Sequence, residues 1–137
     1  EQLVKAGYNV RSSDIINRGY GEAPMDFLGW ECSHQIYGGD IITNPPYAYA
    51  VEFIQRSLMV TEPGAKIAMF LKLTFLESSG RKEFFRNFNP KTVWVTSSRL
   101  LCAKNGDFEK QESSAAAYAW FIWVNGFKGD TVIKWFN

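Results

Sequence analysis

A run of four residues, Asp40-Ile41-Ile42-Thr43, reads as a strand and then stops on Asn44-Pro45-Pro46-Tyr47. Neither proline has an N–H to give a neighbouring strand, so a ladder cannot continue through them. Immediately beyond, Tyr49 to Met59 carries Val51, Ile54 and Leu58 at helical spacing, with Ala50 and Phe53 alongside. Pro63-Gly64 stops that helix, and Lys66 to Leu73 is a nearly continuous apolar run. A run of that kind fits a strand covered on both faces. Strand, helix and strand in this order imply an α/β fold whose sheet begins parallel.

The later segments extend the pattern. Ser79 to Phe88 reads as a helix with a basic outer face, stopped by Asn89-Pro90. Lys91 to Ser97 reads as a strand built on Val93, Trp94 and Val95. Residues 103–114 are polar and loop-like. Ala117 to Val124 and Thr131 to Phe136 read as two strands around Asn125-Gly126-Phe127-Lys128-Gly129-Asp130, which predicts an antiparallel C-terminal hairpin.

The start of the chain is less regular. Glu1 to Gly7 looks like the last turns of a helix closed by a glycine. Tyr8 to Ser13 alternates like a short strand, with Asp14 at its end. Residues 17–25 are turn-rich, Met25 to Leu28 is a short apolar patch containing Asp26, and residues 29–39 read as irregular or a short helix. The expectation is a fold whose preceding part has been removed.

At 137 residues, 46% of them hydrophobic and 16% aromatic, the chain suits a single domain, 1–137, with a core. Fifteen basic residues against 14 acidic leave +1, which argues neither for nor against nucleic acid. Arg81, Lys82, Arg86, Lys91, Arg99 and Lys104 do fall close together along the chain. Cys32 and Cys102 make no disulfide scaffold and, with His34 as the only histidine, no metal-ligand spacing. No metal is expected. Without a signal peptide or an apolar stretch of transmembrane length, the expected location is the cytoplasm.

In open α/β sheets ligands sit beyond the carboxyl ends of the strands, which is where residues 44–47 fall. Asn44 offers a side-chain carbonyl and Pro45 a backbone carbonyl, while neither proline offers an N–H. The corner is rich in acceptors, poor in donors and held by two fixed φ angles, with the Tyr47 ring beside it. A planar group bearing an –NH₂ suits such a corner. Two acceptors drawing on its hydrogens would favour a pyramidal nitrogen with more available electrons. A base inside a duplex would have to be flipped out to reach it.

Asn44-Pro45-Pro46-Tyr47 after a hydrophobic strand resembles the catalytic tetrapeptide of amino-methyltransferases, above all the adenine-N6 DNA methyltransferases. The resemblance implies a Rossmann-like class I methyltransferase fold and S-adenosylmethionine as cofactor. It implies methyl transfer to an exocyclic amino group, with adenine N6 in DNA as the first target and an RNA base or a protein glutamine as alternatives. It makes Asn44, Pro45, Pro46 and Tyr47 catalytic, and gives Asn44 a place beside the cofactor. It also aligns Asp14 with the acid that bonds the cofactor ribose, and Asp26-Phe27 with the motif that meets its adenine.

Nothing in the sequence matches the family's glycine-rich loop. Gly19-Tyr20-Gly21 is a lone G-x-G in another place. The expected sheet therefore lacks its first, central strand. Direct pairing of the flanking strands, a preceding segment or a second copy of the chain is expected to fill the gap, and the chain alone is expected to be inactive. A truncated remnant, or a nucleic-acid-binding module, is the non-enzymatic alternative. Only loop 98–114, with Arg99, Lys104 and Lys110, looks able to contact a polymer.

Plainer structural roles stand beside these. Asp14 also reads as a helix N-cap or turn former, and Asp26 as a loop acid. Phe27, Phe75, Tyr118, Trp120, Phe121 and Trp123 read as core, Cys102 as a small buried hydrophobe, and Arg81, Lys82 and Arg86 as a solvated helix face.

Overall fold

The computed structural model describes residues 2–17, 19–22, 24–29, 36–98 and 116–136. Its residues fall into two units, Glu1–Gln35 and Ile36–Asn137. Cys32, His34, Arg99, Cys102, Lys104 and Lys110 lie outside the described residues.

The first unit opens with helix α1 (Gln2–Lys5). Gly7 takes a φ of +87°, the Gly7 N–H donates to Val4 O (3.0 Å) and the Tyr8 N–H to Leu3 O (3.1 Å). This is the glycine-closed helix end that the sequence predicts. The expected strand over 8–13 does not form. Its last residues are instead held across a loop, with Glu22 N–H on Ser12 O (2.8 Å) and Met25 N–H on Asp14 O (2.9 Å). Gly21 sits at a φ of +92°, and a Cβ there would lie 2.8 Å from Ser12 O, so the crossing needs glycine. None of the described residues of this unit is buried. A strand here would have had neither a core face nor a ladder partner.

The second unit is a five-stranded sheet, with strands β1 (Ile41–Thr43), β2 (Lys66–Lys72), β3 (Thr92–Thr96), β4 (Tyr118–Val124) and β5 (Val132–Phe136). Their order is β1-β2-β4-β3-β5. β1 and β2 pair in parallel, as do β3 and β5, and β4 is antiparallel to both of its neighbours. Four strands therefore run one way and only β4 is reversed. Helix α2 (Ala50–Met59) links β1 to β2, giving the parallel β-α-β unit from which Rossmann-like sheets are built. A short helix, α3 (Lys82–Asn87), precedes β3. The α/β expectation holds for this unit.

The C-terminal hairpin does not. β3 lies between β4 and β5, so these two never pair. The segment joining them passes the start of β3 and is tied to it there. Asn89 Nδ2 donates to Gly129 O (2.9 Å) and to Thr131 Oγ1 (3.1 Å), Thr131 Oγ1 donates to Pro90 O (2.6 Å), and Val132 N–H donates to Lys91 O (3.1 Å). These bonds carry the chain past its neighbour instead of back along it.

One face of the sheet holds the core. Ile67, Met69 and Leu71 of β2, Val93 of β3 and Ala119, Phe121 and Trp123 of β4 are buried with Ala50 and Ile54 of α2 and Phe75. Alternation along β2 and β4 follows from the two-residue strand period. Tyr118, Phe121 and Trp123 are buried as expected, while Trp120 is half-buried on the opposite face beside Phe70, at 5.1 Å between ring centres.

Candidate functional site

β1 ends where its donors end. Asp40 tethers its start, accepting the Lys66 N–H at Oδ1 (2.8 Å). After Thr43 the chain leaves the ladder; Pro45 is buried, while Asn44 and Pro46 are exposed. Pro46, at φ −56° and ψ 123°, turns the chain into a tight helical turn over Tyr47–Tyr49. Tyr49 N–H donates to Pro46 O (2.9 Å) and Ala50 N–H to Tyr47 O, and α2 continues from there. Rigid φ values and this turn set the backbone at Asn44 and Tyr47. No residue among those described hydrogen-bonds the Asn44 side-chain amide.

Because β1 and β2 are parallel, Asn44 and Lys72 end their strands on one side of the sheet, and reversed β4 starts there with Tyr118. Tyr47 is 41% exposed. Its ring centre lies 6.3 Å from that of Tyr118, with the Lys72 Nζ 5.5 Å away. Beside it opens a cleft of about 150 Å³ lined by Tyr47, Ala50, Leu71, Lys72, Thr74, Phe75 and Arg81. Whole small-molecule sites start near roughly 300 Å³, so this cleft suits part of a ligand. Asn44 and Pro45 do not line it.

Arg81 folds back over the preceding turn rather than outwards from the helix. Its Nε donates to Phe75 O (2.8 Å) and its Nη2 to Thr74 O (3.2 Å) and Glu77 O (3.3 Å), with the guanidinium 4.7 Å from the Phe75 ring centre. The expected basic helix face thus loses Arg81 to the cleft. Arg86 does remain outward, paired with Glu83 at 3.2 Å. Sequence reading passed over Lys72. Its signal is its place, a cation ending the strand next to the one that carries Asn44.

In the first unit, Asp14 and Asp26 are both exposed. Asp14 Oδ1 accepts the Ile16 N–H (2.9 Å) and Asp26 Oδ1 the Leu28 N–H (3.0 Å). Each carboxylate accepts the N–H two residues on, which agrees with the turn-former reading of Asp14 and the loop-acid reading of Asp26. Phe27 is half-buried. Gly19 and Gly21, with φ of +72° and +92°, belong to the same turn-rich stretch. Among the described residues, no three His, Cys, Asp or Glu side chains gather as metal ligands. No described helix is long and apolar enough to cross a membrane.

No family model matches the chain, and no curated protein matches it. Among solved structures it is similar to the M1.HpyAVI–SAM complex, at 20% identity and a TM-score of 0.39, over 68% of this chain and 47% of that one. A second structure, M1.HpyAVI, matches at 20% identity and a TM-score of 0.40, over 68% of this chain and 49% of that one. The chain spans about half the length of these solved structures.

Proposed function

We propose that the chain belongs to an S-adenosylmethionine-dependent amino-methyltransferase, with adenine N6 in DNA as its target. The observation that carries this reading is the corner at residues 44–47. An exposed Asn44 amide with no hydrogen-bond partner among the described residues and a ring that is 41% exposed follow a strand on a proline-locked turn. Such a corner has acceptors to offer and few donors.

The Asn44 side-chain oxygen and the Pro45 carbonyl accept the two N–H bonds of the target amine. Pro46 fixes the turn, and Tyr47 stacks on the base. Holding the amine there supplies orientation and an electrostatic bias towards a pyramidal nitrogen. The nitrogen lone pair would form the C–N bond to the methyl group as the methyl–sulfur bond of the sulfonium breaks, its electron pair staying on a neutral thioether, and the methylated nitrogen would then release one proton to water. S-adenosylmethionine, when bound, supplies the electrophilic methyl group. Asp14 and Asp26, each pre-oriented by a backbone N–H, suit hydroxyl and amino donors of its nucleoside, and Phe27 offers an apolar ring. These residues fit the nucleoside portion. No residues in this chain match a glycine-rich cradle for the methionine portion.

The test uses the whole protein and tritiated S-adenosylmethionine with DNA, RNA and protein substrates. Label is expected in DNA adenine. Asn44→Ala should abolish transfer and leave cofactor affinity within about twofold, because an amide–amine bond is made only at the target. Retained transfer by Asn44→Ala refutes the role given to Asn44.

A further inference from the structure

The cleft beside Tyr47 carries two cations and no counter-charge. Lys72 and Arg81 both line it, and among the described residues neither forms an ion pair. The Lys72 Nζ lies over the Tyr47 ring, 5.5 Å from its centroid. Arg81 is held rigidly by three backbone carbonyls through Nε and Nη2. Among the described residues that leaves both N–H groups of Nη1 unspent, on a guanidinium fixed against Phe75. A fixed fork with spare donors and an ammonium lining one small cleft make a site for an oxyanion.

The neighbouring ring selects among oxyanions. A phosphate beside a partly exposed tyrosine ring matches a nucleic-acid strand, whose bases stack while its backbone carries the charge. We propose that Lys72 and Arg81 form a subsite for one phosphate of a nucleic-acid strand whose unstacked base lies on Tyr47. This rests on the amino-group reading of the corner at Asn44, and deepens it by naming the group next to the target base.

The experiment measures binding of a fluorescein-labelled 12-nucleotide single-stranded DNA by anisotropy, between about 50 and 200 mM salt. Lys72→Gln should weaken binding about fivefold at the lowest salt, and reduce the slope of log K against log salt by about 0.7, the share of one single-strand phosphate. Lys72→Arg should restore both. Arg81 also holds its turn, so the decisive comparison stays at Lys72. Unchanged affinity and slope in Lys72→Gln overturn the proposal, as does a failure of Lys72→Arg to restore them. So does a poly-glutamate peptide that displaces the wild-type protein's DNA as well as unlabelled oligonucleotide does. No effect of Lys72→Gln with Asn44→Ala inactive removes the subsite alone, whereas an active Asn44→Ala with the Lys72 effect intact removes the amine reading and with it the target base, leaving a phosphate contact only.

Discussion

Truncating Phe75 tests whether the turn that forms the cleft wall is built on the core. Phe75 is 8% exposed and meets four rings edge-on: Phe84 at 6.4 Å, Phe85 at 5.6 Å, Phe121 at 5.7 Å and Trp123 at 6.5 Å. A buried Phe→Ala change costs about 3–5 kcal/mol, depending on how far the site can collapse. Collapse is limited here, because Trp123 is anchored by its Nε1–H donating to Phe88 O (2.8 Å) and Phe121 is stacked on it at 6.0 Å. Phe75→Ala should therefore cost about 4 kcal/mol, a large share of the 5–15 kcal/mol typical of a domain. With a urea slope of about 2 kcal/mol/M, the midpoint falls by about 2 M. Tryptophan fluorescence reports it, since Trp123 touches the deleted ring. Phe75→Leu keeps most of the volume and should cost less than about 1.5 kcal/mol. A midpoint shift below about 0.5 M for Phe75→Ala would show that this ring is not packed as described.

Further outcomes follow from single contacts. Asn125 Nδ2 donates to Leu58 O and Thr61 O, each at 2.8 Å, so Asn125→Ala should lower stability by about 2–3 kcal/mol in the same urea assay. Gly126 has a φ of +82° with open space where a Cβ would stand, so Gly126→Ala should cost about 1 kcal/mol and Gly126→Asn less. Equal costs for these two would place the effect outside the backbone. Asn89→Ala frees Gly129 O and Thr131 Oγ1, and should cost about 1 kcal/mol while speeding hydrogen exchange at the Val132 amide.

Local periodicity made most of the second unit readable. Ala50–Met59, Lys66–Lys72, Thr92–Thr96, Tyr118–Val124 and Val132–Phe136 each fall inside a segment whose apolar spacing announced it. Strand order was not readable, because it depends on bonds distant in the chain. Asn125-Gly126 is a strong turn signal and does turn, with Phe127 N–H on Val124 O at 2.9 Å. What carries β5 past β3 is the amide of Asn89, 40 residues from the carbonyl it holds at Gly129. Tyr8 to Ser13 shows the opposite failure. Alternation alone does not make a strand where no core face waits for it. At the candidate site, Asn44 to Tyr47 stood out because two prolines after an apolar run are a rare expense in a sheet. Lys72 and Arg81 stayed hidden because their roles come from pairing register and from a side chain folding backwards.

The single reversed strand has a consequence for how such a chain can be made. β2 and β3 do not touch as a ladder; each depends on β4. During synthesis β2 and β3 emerge first and wait, with their facing edges unsatisfied, until residues 118–124 leave the ribosome. Pairing over such separations is slow, and open edges invite wrong partners. A nascent chain arrested before Tyr118 should be protease-sensitive and chaperone-bound, and one arrested well beyond Val124 should not.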